Sequence, residues 1–94
     1  MMNVAISWNA EKNNWLKNEA GRGACFEDVV DAINDGRLIE VVPHKTRDNQ
    51  SMMILLINDY IYGVPFVEDD KGVFLKTLYP DRKLTRKYFK SRTP

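Results

Sequence analysis

The stretch MMILLINDYIYGVPFV, residues 52–67, decides how the rest of the chain can fold. Its first half, residues 52–57, is an unbroken apolar run, too short to cross a bilayer, which predicts a strand buried inside a sheet. Asn58-Asp59 follows it and predicts a tight turn. Residues 60–67 are rich in aromatic and β-branched side chains and predict a second strand, in which Pro65 favours a sheet edge or a bulge.

Strand patterns also flank these two predicted strands. Residues 38–42 predict a strand that stops at Pro43, and residues 73–79 predict a last strand after a turn that ends in Gly. Strict alternation along that last strand places Lys76 and Leu78 on the same face. The four strands follow one another along the chain and therefore predict an antiparallel meander. Residues 4–8 alternate only weakly and are compatible with a short strand, which is not counted among the four strands of the meander.

Two helix patterns precede the strands and one follows them. Asn9 can cap a first helix, which the sequence AGRG, residues 20–23, ends. A second helix carries one apolar face and ends before Gly36, which suits the left-handed position after a helix. A basic helix over residues 83–90 follows Pro80-Asp81. Helices gathered on one face of an antiparallel sheet define an α+β fold.

The chain is therefore predicted to be a single α+β domain over residues 1–94. Two N-terminal helices pack on a four-stranded antiparallel sheet, and a short basic helix ends the chain. One Cys and one His cannot build a metal cluster, and the chain has neither a Gly-rich phosphate loop nor a nucleophilic Ser motif. These features predict no metal and no cofactor. The lone Cys and the lack of a secretory leader predict a cytoplasmic protein.

Positive charge is concentrated at the end of the chain. Residues 75–94 hold seven Lys or Arg and one acid, a net charge of +6, which leaves −5 for residues 1–74 in a chain of net charge +1. Such a separation is typical of a surface that binds a polyanion, or of one that an acidic partner covers.

Three short motifs carry a resemblance to a known family. They are WNAEKNNWLKNE (residues 8–19), FEDVV (residues 26–30) and LKTLYPDRKLTRKY (residues 75–88). In these motifs and in their order the chain resembles the BrnT-like type II toxins of bacteria, over nearly all of residues 6–90. It departs from the family pattern in a longer link between the first two helices, in Cys25 at the place of a capping Ser, and in Tyr88 where many members have Glu.

The resemblance implies a RelE-like ribonuclease fold. It implies an endoribonuclease that cleaves RNA and so inhibits translation, and a cognate antitoxin that neutralises the toxin in a hetero-oligomer. The apolar run of residues 52–57, which is too short to cross a bilayer, predicts no membrane partner. Which mRNA is cut, and whether the ribosome takes part, stays open.

The candidate catalytic residues follow from the chemical requirements of RNA cleavage without a metal. It needs a base, an acid and cations that stabilise the phosphorane. His44 suits proton transfer near neutral pH. Lys76 is a cation on the last strand, where the resemblance also implies one, and Arg82 opens the last helix with a guanidinium suited to phosphate. Competing interpretations are a solvated His44, a Lys76 whose stem lies along the sheet, and an Arg82 paired with Asp81 or Glu68.

The basic helix supplies the predicted RNA-binding residues. Lys83, Arg86, Lys87 and Lys90 are predicted to contact phosphates without reading sequence, and Tyr79 to stack on an unpaired base. The alternative function is a non-enzymatic module that binds nucleic acid or an acidic partner through the same segment. Both functions predict salt-sensitive binding, so binding alone does not separate them.

Overall fold

A computed structural model describes residues 5–91 and shows an α+β fold of three helices and a six-stranded sheet. The strands lie in the order β1-β5-β4-β3-β2, and β6 pairs with β4. The predicted α+β class is confirmed. In chain order the elements are β1 (Ile6–Trp8), α1 (Ala10–Asn18), α2 (Phe26–Asn34), β2 (Leu38–Pro43), β3 (Ser51–Ile57), β4 (Tyr60–Asp69), β5 (Gly72–Leu75), β6 (Tyr79–Pro80) and α3 (Arg82–Ser91).

The predicted central hairpin forms as β3 and β4, which both lie inside the sheet. Asn58 and Asp59 both have positive φ, 53° and 62°, as a two-residue type I′ turn requires. The predicted turn is therefore confirmed. Pro65 lies in β4, an interior strand, so the interpretation of Pro65 as a sheet-edge residue is wrong.

The short strand compatible with residues 4–8 forms as β1, and it enlarges the sheet beyond the predicted four-stranded meander. Ile6 to Trp8 pair in parallel with Val73 to Leu75 of β5, and the N–H of Val73 donates to the carbonyl of Ala5 at 2.8 Å. The sheet is consequently mixed rather than purely antiparallel. Weak alternation over so few residues is compatible with a strand but does not identify its partner, which lies far along the chain.

A one-residue bulge splits the predicted last strand, residues 73–79, into β5 and β6. Leu75 faces Phe66 of β4, whereas Tyr79, four residues later, faces Gly63, only three residues from Phe66. One extra residue therefore lies on the strand that pairs with β4.

The bulge lies opposite Pro65. The carbonyl of Pro65 accepts from the N–H of Lys76 at 2.8 Å, but proline has no N–H with which to return that bond. Arg22 donates from Nη1 to the carbonyl of Leu78 at 2.8 Å and so satisfies an acceptor beside the bulge. Leu78 is fully buried in the core while Lys76 is exposed, so the prediction that they share a face is wrong.

The two faces of the sheet carry different helices. On the inner face, α1 and α2 bury Leu16, Phe26 and Val29 against β3 and β4, in one core. On the outer face, Ile61 of β4 is buried beneath Leu84 of α3. The prediction that all helices gather on one face is therefore wrong for α3. Its Leu84 and Tyr88, four residues apart, form the stripe that faces the sheet.

Asn13 joins the two inner-face helices. This buried side chain accepts from the N–H of Phe26 at 2.9 Å and donates to Oε1 of Glu27 at 2.8 Å. At the same helix start, the carboxylate of Asp28 accepts from the N–H of Cys25 at 2.8 Å, which completes a capping box. Burial raises the pKa of the Cys25 thiol, so it stays protonated at this position.

We predict that the stability contributed by the Glu27 carboxylate is lost in acid. The bond from Asn13 is the main cause that lowers the pKa of Glu27 from 4.5 to about 2. A lowered folded-state pKa contributes stability above the unfolded value, and that contribution is lost as the pH falls from 4.5 towards 2. Glu27→Gln should therefore flatten the pH dependence of the unfolding free energy over this interval, measured by urea titration. The effect should be small and weaker in salt, because the side chain is half exposed. An unchanged pH dependence would contradict the assignment.

Candidate functional site

Two residues fix α3 to the outer face of the sheet. Asp81 caps the helix, because its Oδ1 accepts from the N–H of Leu84 at 2.8 Å. The hydroxyl of Thr85 donates to the carbonyl of Asp81 at 2.7 Å and accepts from the N–H of Ile61 at 2.9 Å. The start of α3 is therefore held at a defined place beside β4, while none of its side chains is fully buried.

Two adjoining clefts separate α3 from the outer face. The Tyr88 cleft, about 420 Å³, lies under the helix between Ile39, Ile61, Lys87 and Tyr88. The Tyr79 cleft, about 630 Å³, opens towards the loop after β2. Glu40, Ile54 and Leu84 line both clefts, so the two form one continuous groove.

The floor of the Tyr79 cleft is a single row of paired residues across four strands. Glu40 of β2 faces Ile54 of β3, Ile54 faces Gly63 of β4, and Gly63 faces Tyr79 of β6. Partners directly opposite each other in a sheet share a face. A Cβ at Gly63 would lie 3.1 Å from the Tyr79 ring, so the glycine lets the ring lie close to the sheet.

Tyr79 is held by more than its strand pairing. Its hydroxyl donates to the sulfur of Met52 at 3.4 Å. Burial, with a smaller effect from the charge of Asp81, raises the pKa of the phenol, so the ring stays neutral. The residue predicted to stack on a base is thus a fixed, neutral aromatic wall of the cleft.

His44 also lines the Tyr79 cleft, from the loop that follows β2. Its backbone N–H donates to the carbonyl of Gln50 at 3.0 Å, and its Nδ1 accepts from the N–H of Thr46 at 3.2 Å. In the neutral ring the proton therefore lies on Nε2. The loop thus orients the imidazole and leaves the Nε2–H as the group that can donate to a ligand.

The structure divides the predicted cations into two groups. Lys83 lines the Tyr79 cleft and Lys87 lines the Tyr88 cleft. Arg82, Arg86 and Lys90 are exposed elsewhere on α3 and line neither cleft. The predicted partners of Arg82, Asp81 and Glu68, form no ion pair with it, and no α3 cation pairs with an acid within residues 5–91.

Lys76 lies away from both clefts. It is exposed beside the bulge, and its Nζ lies 5.5 Å from the centre of the Phe74 ring. The structure therefore does not bring Lys76 together with His44. Arg92, which contributed to the predicted charge of the tail, lies outside the described residues.

Glu40 and Met52 are cleft residues that the sequence did not indicate. A register shift between Leu38 and Glu40 on the edge strand β2 leaves Glu40 opposite Ile54, on the outer face. Met52 is the first residue of the central apolar run and gave no sign of lining a cleft. Only a sequence signal for that register shift could have identified Glu40, and residues 37–42 contain neither Gly nor Pro.

Other kinds of site receive no support from the described part of the chain. Among residues 5–91, no three His, Cys, Asp or Glu side chains come together as a metal site requires. None of the helices found there has the length and apolar character needed to cross a membrane. Compared with protein-family models, with curated proteins and with solved structures, the chain shows no match.

Proposed function

We propose that the chain is the toxin of a type II toxin–antitoxin system, a RelE-like, BrnT-like endoribonuclease that cleaves RNA and inhibits translation. The observation that carries the proposal is one cleft lined by His44, Tyr79 and Lys83. These residue types can transfer a proton, stack on a base and neutralise a phosphate. The RelE-like fold and the activity also rest on the resemblance of the sequence motifs.

Each residue receives a role from its place in the groove. The imidazolium form of His44 donates the Nε2 proton to the leaving oxygen of the RNA, Tyr79 packs against a base, and Lys83 neutralises the charge that grows on the phosphorane. Lys87 extends the phosphate track along the Tyr88 cleft. Lys76 and Arg82 lie outside the cleft. We therefore assign them, together with Arg86 and Lys90, to contacts with the RNA backbone. The proposed reaction uses neither a metal nor a cofactor.

The proposed protein partner is a cognate antitoxin in the same cytoplasm. An acidic segment of that partner would cover the cations of α3, which form no ion pair within residues 5–91. The toxin and the antitoxin would then form a hetero-oligomer in which RNA cannot reach the groove.

The test is expression of the chain in a bacterial host with and without the neighbouring gene, followed by mapping of RNA 5′ ends. We expect growth arrest and new 5′ ends only when the chain is expressed alone. His44→Ala is the matched variant and should yield neither. Growth arrest without new 5′ ends would show that the toxicity does not come from RNA cleavage.

A non-enzymatic binding module is the second candidate function. It is favoured by the dispersal of the predicted catalytic set, because two of its three members, Lys76 and Arg82, lie outside the cleft that holds His44. An assay with purified protein and a labelled RNA distinguishes the two functions. A binding module would retard the RNA and return it intact, and the proposed enzyme would shorten it in excess EDTA.

A further inference from the structure

We infer that the Tyr79 cleft selects guanine in single-stranded RNA, and that Glu40 is the residue that determines this specificity. The inference deepens the proposed function and rests on it in one respect, namely that the base belongs to an RNA strand. Two observations carry it: the row of residues across the cleft floor, and the lack of a hydrogen-bond or ion-pair partner for the Glu40 carboxylate within residues 5–91. The hydrogen-bonding groups of the four bases then decide which base the carboxylate favours.

The row of residues sets the size of what the cleft can hold. Glu40 and Gly63 are separated by one strand, which contributes Ile54 between them. Neighbouring strands lie about 4.8 Å apart, so Glu40 is about 10 Å from the position covered by the Tyr79 ring. A purine base and one hydrogen bond fill a span of this size. The base would lie over Ile54, with the Tyr79 ring at one end and Glu40 at the other.

The chemical character of the row matches the parts of a base. Ile54 and Met52 provide an apolar floor, and Tyr79 provides an aromatic wall on which any base can pack. Lys83 and His44 line the same cleft and can hold the attached phosphate. The groups that pack on a base are therefore separate from the group that can read its edge.

Glu40 is an unusual residue for a groove that binds a polyanion. Its side chain is exposed, and it forms neither an ion pair nor a side-chain hydrogen bond within residues 5–91, although Lys83 and Lys87 line the same groove. A free carboxylate there repels phosphate. The other acid of the Tyr79 cleft, Asp81, is already used in capping α3. Glu40 can contribute to RNA binding by accepting hydrogen bonds, and its place at the end of the row across the cleft floor directs it to the edge of a base.

Among the four RNA bases, guanine offers what a carboxylate requires. Its N1–H and its exocyclic N2–H lie side by side, so both oxygens of one carboxylate can accept from it. Adenine and cytosine each present one amino group beside an acceptor nitrogen, and the single N–H of uracil lies between two carbonyl oxygens. In each of these three bases, an acceptor atom of the base would face an oxygen of Glu40, and the two would repel each other. The carboxylate therefore favours guanine and disfavours the other three.

The test is binding of nucleoside monophosphates to the intact chain, followed by NMR at the amides of Ile54, Gly63 and Tyr79. We expect the 5′-monophosphate of guanosine to bind about tenfold or more tightly than that of adenosine, as a bidentate contact to one base edge provides. Inosine 5′-monophosphate lacks the exocyclic amine and should bind with intermediate affinity. Equal affinity for the guanosine and adenosine nucleotides would overturn the inference.

Glu40→Gln separates specificity from general affinity. The amide offers one acceptor and one donor, which suit the edge of adenine, so the preference for guanine should be lost and adenine should gain. Glu68→Gln, an exposed change on β4 away from the groove, is the matched control and should keep the preference. A Glu40→Gln variant that still prefers guanine would overturn the inference.

The outcomes for specificity and for catalysis are distinct. Cleavage of RNA with no dependence on guanine would leave the proposed ribonuclease standing and remove the specificity. Selective binding of the guanosine nucleotide without cleavage of any RNA would keep Glu40 in its role and remove the ribonuclease.

Discussion

Lys83→Ala is expected to lower the rate of RNA cleavage about a hundredfold or more. Lys83 lines the cleft that also holds His44, and loss of one group that stabilises transition-state charge typically has an effect of this size. The side chain is exposed, so the free energy of unfolding should change by less than about 0.5 kcal/mol. The measurements are the cleavage rate of a labelled RNA and a urea titration of the same purified variant.

Arg82→Ala is the matched control, since Arg82 precedes Lys83 on α3 and has the same charge. Arg82 lines neither cleft, so its loss should weaken RNA binding through charge alone and reduce the salt dependence by about 0.7 of a slope unit for a single strand. If Arg82→Ala were inactive and Lys83→Ala active, Arg82 would hold the scissile phosphate, as the sequence predicts, and the Tyr79 cleft would not be the site of cleavage.

Gly72→Ala is expected to destabilise the fold by about 3 kcal/mol or more. Gly72 has a φ of 140°, where a side chain is strained, and an added Cβ would overlap the carbonyl oxygen of Ala5. That carbonyl accepts from the N–H of Val73, so relief of the overlap would separate β1 from β5. Urea unfolding of the variant and of the wild type measures the difference.

Gly36→Ala serves as the control for backbone conformation alone. Gly36 also has a positive φ, 75°, but nothing lies within 4 Å of its added Cβ. Gly36→Ala should therefore lower the free energy of unfolding only by the cost of placing Ala in the left-handed conformation, about 1 kcal/mol. Equal losses for the two variants would contradict the overlap at Gly72.

The parts of the fold that could be predicted from the sequence are those with local causes. Asn9 caps α1 through the N–H of Lys12, and the Asn58-Asp59 turn is set by two adjacent residues. The pairing of β1 has no comparable local signal, because its three residues pair with a strand more than sixty positions away. The separation of α3 from the other helices also depends on tertiary packing, since a helix pattern in the sequence does not identify the sheet face that the helix will cover.

The sequence predicts which residue types form the candidate site but not how they come together. His44, Tyr79 and Lys83 were identifiable because a lone histidine, an aromatic residue and a basic helix are visible in the sequence. Their assembly around one cleft, with Lys76 outside it, depends on two register irregularities. One lies between Leu38 and Glu40, and the other opposite Pro65. Strict alternation assigns faces wrongly beyond such a point, and only the Pro65 bulge has a residue that signals it.

The bulge between β5 and β6 has a consequence for insertions and deletions. Tyr79 reaches the outer face because one extra residue follows Leu75 before the pairing with β4 resumes. Deletion of one residue at positions 76–78 would remove the bulge and leave Tyr79 opposite Gly63 on the outer face, whereas regular pairing of the full-length segment would place Tyr79 opposite Tyr62 and turn it towards the inner core. The aromatic wall of the cleft is thus specified by the length of this segment and its bulge together, as well as by its composition. Homologous chains should be compared with the same spacing between β5 and β6 before an aromatic residue is assigned to the cleft.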